Sequence, residues 1–110
     1  MKRGAGFAAS AAQRMRVAGQ PCVNCGRHGV DPAHLIDRSL CPTGADDPRA
    51  VIPLCRGCHE AYDNHRLSLL ESLEPYFREE LAFAVERFGL ISTYKRVTGD
   101  RALAYLDGAA

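Results

Sequence analysis

The sequence predicts a small α+β domain: a metal-stapled core of a two-stranded hairpin and a helix, with an N-terminal helix and a C-terminal helical extension. Three observations point there. Two Cys-x-x-Cys pairs, Cys22 with Cys25 and Cys55 with Cys58, bracket a long insert. That insert holds two short apolar stretches, each marked by a proline. Beyond the second pair, apolar residues recur at helical spacing. A chain of 110 residues makes one compact domain that buries proportionally little surface, so a cross-link supplies what a small core lacks.

Taken in order, residues 1–19 read as a basic segment, flexible over residues 1–9 because Gly, Ala and charge alternate without an apolar period. Ser10 caps a short helix over Ala11–Ala18 that Gly19 ends. Residues 20–66 form the stapled domain. Within it, Asp31 to Ile36 reads as a turn and a first strand, residues 37–50 as a Pro-, Gly- and Asp-rich loop, and Val51 to Leu54 as a second strand. Pro53 suits an edge or end of that strand. A helix follows from near Cys58 to about His65.

Residues 67–110 read as a helical brace on the core. Leu67, Leu69, Leu70 and Leu73 form one apolar patch, and Pro75 is placed in the first turn of the next helix. Phe77, Leu81, Ala84, Val85 and Phe88 keep helical spacing up to Gly89. Leu90, Ile91, Tyr94 and Val97 suggest a further short helix, and Asp100 caps a last turn with Leu103 and Leu106.

Composition excludes some classes. Hydrophobic residues are 46% and charged residues 25%, as in globular proteins. No apolar run approaches the ~20 residues that span a bilayer, so no membrane partner is expected. The apolar run at Phe7–Ala12 is too short for a signal peptide and is followed by Gln13, Arg14 and Arg16. The reading is a cytoplasmic protein. A net charge of +1 does not by itself argue for nucleic acid. Lys2, Arg3, Arg14 and Arg16, with no acid among them, make either a solvated surface or a local phosphate-contacting face.

Five cysteines, an odd count with no secretion signal, favour metal over disulfides. Cys22, Cys25, Cys55 and Cys58 offer four soft thiolates, which suits a closed, tetrahedral structural Zn2+ site. Cys41 in the loop is left as a free thiol. His34 lies on the first strand. His59 and Asp63 stand four apart on the following helix, so one face presents both to a second divalent ion.

The stretch Cys22-Val-Asn-Cys25, Ala33-His34-Leu-Ile-Asp-Arg38-Ser39, Asp46-Asp47-Pro48 and Val51-Ile-Pro53-Leu54-Cys55-x-x-Cys58-His59 resembles the HNH endonuclease family, in its zinc-stapled phage and bacterial form. The resemblance covers roughly residues 20–66. It implies the zinc-stapled ββα-metal (HNH) core, in which hairpin and helix hold a catalytic ion between them. It also implies hydrolysis of a phosphodiester in DNA, within a bacterial or phage-infected host cell. His34 would be the general base, and His59 and Asp63 would hold a catalytic Mg2+, Mn2+, Ni2+ or Zn2+. Arg38, Arg56 and Arg66 would contact the nucleic-acid backbone. The resemblance names no oligomeric state.

Two positions depart from the family pattern. Ala33 stands where a ligand commonly precedes the base, which leaves water or Asp31 to complete the ion's shell. Ala50 stands where an Asn braces the hairpin loop, a task Asp46 or Asp47 can take by bonding loop amides. Further alternatives stay open at this point. His59 can serve the zinc from outside its ligand shell, His65 is a lesser candidate ligand, and Arg38 can pair with Asp37. The alternative function is a catalytically degenerate module that binds DNA or a protein partner.

Overall fold

In the computed structural model, which describes residues 9–36 and 44–99, Ser10 starts the first helix, α1 (Ala11–Val17). Its hydroxyl accepts from the Gln13 amide, and the Gln13 side chain accepts from the Ser10 amide. That reciprocal pair satisfies two amides that a helix start leaves orphaned.

Two strands follow, β1 (Val30–His34) and β2 (Val51–Cys55), paired antiparallel. The register sets Pro32 opposite Pro53. Leu35 N donates to Ala50 O at 3.0 Å, so every second pair along the ladder is hydrogen-bonded and the proline pair falls between. Neither proline removes a ladder bond. The outward carbonyl of Pro53 instead accepts from Val23 N at 2.9 Å, which ties the first cysteine turn to the sheet.

The helix α2 (Arg56–Asp63) begins directly after β2 and ends at Asp63. It therefore starts and stops two residues earlier than the sequence pattern indicates, because Cys55 closes the strand and serves as the helix N-cap at once. Tyr62 on α2 is fully buried and donates its hydroxyl to Leu35 O at 2.7 Å. Burial pushes its pKa up, with Arg96 opposing, so the hydroxyl keeps its proton and its role as donor. Tyr62→Phe is expected to leave that carbonyl unpaired and to cost about 1–2 kcal/mol, read as a lower urea midpoint with unchanged slope.

Three helices complete the described chain: α3 (Leu70–Tyr76), α4 (Arg78–Phe88) and α5 (Leu90–Val97). Pro75 lies inside the last turn of α3, not in the first turn of α4. Leu69, Leu70 and Leu73 are buried in the shared core, and their burial holds α3 together up to the proline. Gly89 then breaks α4 from α5 with a φ of +94°, a conformation glycine adopts without strain. On α5 the buried residues are Thr93 and Val97, while Leu90 and Ile91 are exposed. Of the four apolar residues that suggest this helix, Val97 enters the core and Tyr94 packs against it, whereas Leu90 and Ile91 do not.

One core joins these elements. Ala33, Leu35, Ile52, Leu54 and Tyr62 from hairpin and α2 pack with Leu69, Leu73, Leu81, Ala84 and Val97. Arg16 of α1 reaches Glu79 and Glu80 of α4 at 2.8 and 2.7 Å and ties the first helix to the brace. Arg38, Cys41 and the expected last turn with Leu103 and Leu106 lie outside the described residues. Among the described residues, no helix is long and apolar enough to cross a membrane.

Candidate metal centres

Two local structures bring the cysteines together. Cys22 and Cys25 sit in a tight turn closed by Gly26 N to Cys22 O at 2.8 Å, and Gly26 takes a φ of +78° to make it. Cys55 and Cys58 sit at the junction of β2 and α2. All four sulfurs lie within 4.8 Å of one another, and Cys25 Sγ and Cys55 Sγ are 3.7 Å apart. Zinc–sulfur bonds of about 2.3 Å in a tetrahedron set an edge of about 3.8 Å. The donor set and its spacing therefore fit one structural zinc, as the sequence pattern predicts.

The surroundings act on the thiols in both directions. The cage lies at the start of α2, where negative charge is stabilised. Burial opposes ionisation of Cys22, but amide hydrogen bonds from Cys55, Cys25 and Asn24 outweigh it and bring the thiol down to about 7. Burial pushes Cys58 up to about 12, against a hydrogen bond from Asn24 Nδ2 to its sulfur at 3.3 Å. Asn24 was not singled out by the sequence reading; a polar residue inside the first Cys-x-x-Cys was the available signal.

Beside the cage, His59 stands between two carboxylates. Its Nδ1 lies 3.4 Å from Asp31 Oδ2 on β1, and its Nε2 lies 3.4 Å from Asp63 Oδ2 on α2. Each carboxylate also meets an arginine: Asp31 meets Arg56 at 3.2 Å, and Asp63 meets Arg96 at 3.5 Å. Arg96 further stacks 3.8 Å over the Tyr62 ring and donates to Tyr62 O at 2.7 Å, which fixes α5 to α2. No local signal marks Arg96 in the sequence, since its partners lie on another helix. Arg56 and Arg66 are exposed.

His34 closes the strand that carries Asp31. Its Nε2 lies 2.7 Å from Ala45 O in the turn that follows the loop. Strand alternation puts Asp31 and His34 on opposite faces of β1. The structure thus brings Asp31, His59 and Asp63 into one run and holds His34 apart from it. Among the described residues, the four cysteines are the group of three or more donors at mutual ligand spacing. A base that acts through a water needs no place in an ion's ligand shell.

The residues from the first cysteine pair into α3 carry one further signature: residues 22–70 match the HNH endonuclease family. Over these residues the chain is similar to HNH endonucleases. No curated protein and no solved structure matches the chain. In this matched segment Ala33 is fully buried, opposite Ile52. Asp31, two residues earlier on the same strand face, is the acid that reaches His59. At the second departure, Ala50 ends a single 3₁₀ turn, Pro48–Ala50. Asp47 caps that turn by accepting from Arg49 N at 2.8 Å and pairs with the Arg49 guanidinium through both oxygens at 3.0 Å. The Arg49 guanidinium holds the Asp47 carboxyl below the usual carboxylate range. Asp47 thus bonds a loop amide in the way the sequence allows.

Proposed function

We propose that the chain is a metal-dependent endonuclease that hydrolyses phosphodiester bonds in DNA. The observation that carries this reading is the His59 ring held between Asp31 of the hairpin and Asp63 of the helix, inside a segment matched to HNH endonucleases. His59 Nε2 and Asp63 Oδ2, 3.4 Å apart, have the spacing of two ligands on one ion. Nitrogen and carboxylate donors suit a divalent metal such as Mg2+, Mn2+, Ni2+ or Zn2+. Bound there, it supplies charge stabilisation for the phosphate and the departing oxygen.

His34 is the general base, taking a proton from the water that attacks phosphorus in line. Because it hangs on the other strand face, the substrate phosphate lies along the hairpin edge, within reach of both sides. Arg56, Arg66 and Arg38 hold the backbone of the nucleic acid. Arg56 leaves Asp31 for phosphate when substrate arrives, an exchange its exposure permits.

Supercoiled plasmid tests the reading. Incubation with magnesium, manganese or nickel is expected to yield nicked circles. His59→Ala and Asp63→Asn are each expected to raise the metal concentration for half-maximal nicking by about 10-fold or more. If no metal supports nicking but the protein retains DNA in a salt-sensitive way, hydrolysis is wrong. The degenerate binding module, which the alanines at 33 and 50 favour, then takes its place.

A further inference from the structure

The carbonyl that holds His34 has a second donor. Ala45 O lies 2.7 Å from His34 Nε2 and 2.7 Å from Gln13 Nε2. Gln13 Nε2 also donates to Asp47 O at 2.9 Å. One amide group thus spans both ends of the turn that Asp47 N closes onto Gly44 O. Its Oε1 accepts from Ser10 N at 3.0 Å. Gln13 is only 1% exposed. Both of its donor hydrogens therefore go to the loop, and its acceptor goes to the helix cap. The cap alone needs the acceptor and does not explain the two donors.

A carbonyl only accepts, so His34 Nε2 carries the proton in its contact with Ala45 O. In the neutral ring the basic lone pair then lies on Nδ1. Whatever fixes Ala45 O therefore bears on the tautomer and on the direction of the Nε2 edge of the ring. Ala50 has no side-chain amide to offer, and Asp47 is engaged with Arg49. The remaining fixed donor comes from α1, which precedes the family-matched residues.

We propose that Gln13 is a positioning residue for His34, acting through the Ala45 carbonyl. Its consequence for hydrolysis rests on the endonuclease reading; its effect on the imidazole does not. The first helix is on this account part of the site's frame.

Long-range nitrogen–proton NMR spectra of the His34 ring in the zinc-loaded protein test the proposal without reference to activity. The wild-type neutral ring is expected to be protonated on Nε2. Gln13→Met and Gln13→Glu, which keep the side chain's length and remove both donors, are expected to give a mixture of tautomers. In plasmid nicking they are expected to lower kcat by about 10- to 100-fold with KM within about twofold. Ser10→Ala controls for helix stability: it removes the capping hydroxyl and its bond to Asp46 O at 3.2 Å, keeps both Gln13 bonds to the loop and is expected to retain the wild-type ring spectrum. A wild-type ring protonated on Nδ1, or ring spectra unchanged in both Gln13 variants, overturns the proposal. A ring that responds to Gln13 in a protein that never nicks DNA would instead refute the endonuclease reading and leave the positioning role standing.

Discussion

Cys55→Ser is expected to release zinc and unfold the domain. Cys55 ends β2, caps α2 and supplies one sulfur to the cage, so its loss acts on three levels at once. Structural zinc contributes on the order of 10–16 kcal/mol of apparent folding free energy in small metal domains, while a domain's whole net stability is about 5–15 kcal/mol. The hairpin has two strands and cannot stand alone. Metal analysis should find about one tightly held zinc per wild-type chain and none in the variant. Circular dichroism should show the variant losing its helical signal, and a chelator should do the same to the wild type. A Cys55→Ser protein that stays folded without zinc would mean that the core through Leu35, Leu54 and Leu73 suffices, and the cage would be incidental to the fold.

The cage was legible because thiolates at Cys-x-x-Cys spacing have few other uses in a chain like this. The spacing His59-x-x-x-Asp63 was legible for a similar reason, since helix geometry alone puts both on one face. The boundaries that failed did so where one residue serves two elements. Cys55 is both strand end and helix cap, and no propensity scale anticipates that. Pro75 was placed by its usual preference for a first helical turn, but the buried leucines before it decided otherwise. On α5, Leu90 shares a face with Thr93, Tyr94 and Val97 but stands at the helix's first position, where it stays exposed, and Ile91 lies off that face. Gln13 shows the deeper limit. Its capping box with Ser10 is readable as Ser-x-x-Gln, yet the bonds to Ala45 and Asp47 join residues more than thirty apart in sequence.

His34→Ala is expected to leave zinc content and fold intact while lowering plasmid nicking by about 100- to 10,000-fold, the range general bases contribute. The fold should survive because His34 is a half-buried residue at the end of β1, and Ala45 O keeps its bond from Gln13 when the imidazole is gone. The chemistry should not survive, because no other described histidine is placed on the hairpin: His59 is held by two carboxylates, His28 is exposed in the turn before β1, and His65 is exposed in the turn after α2. Two further readouts separate loss of a base from a general disturbance. The pH dependence that a general base imposes on kcat should flatten in the variant. Free imidazole added at high concentration should restore part of the rate to His34→Ala and none to His59→Ala, whose defect is metal affinity. Wild-type rates in His34→Ala would show that another group, or the bound ion's own water, accepts the proton. The imidazole on the hairpin would then belong to the loop's architecture, and Gln13 and Ala45 would be holding a structural residue in place.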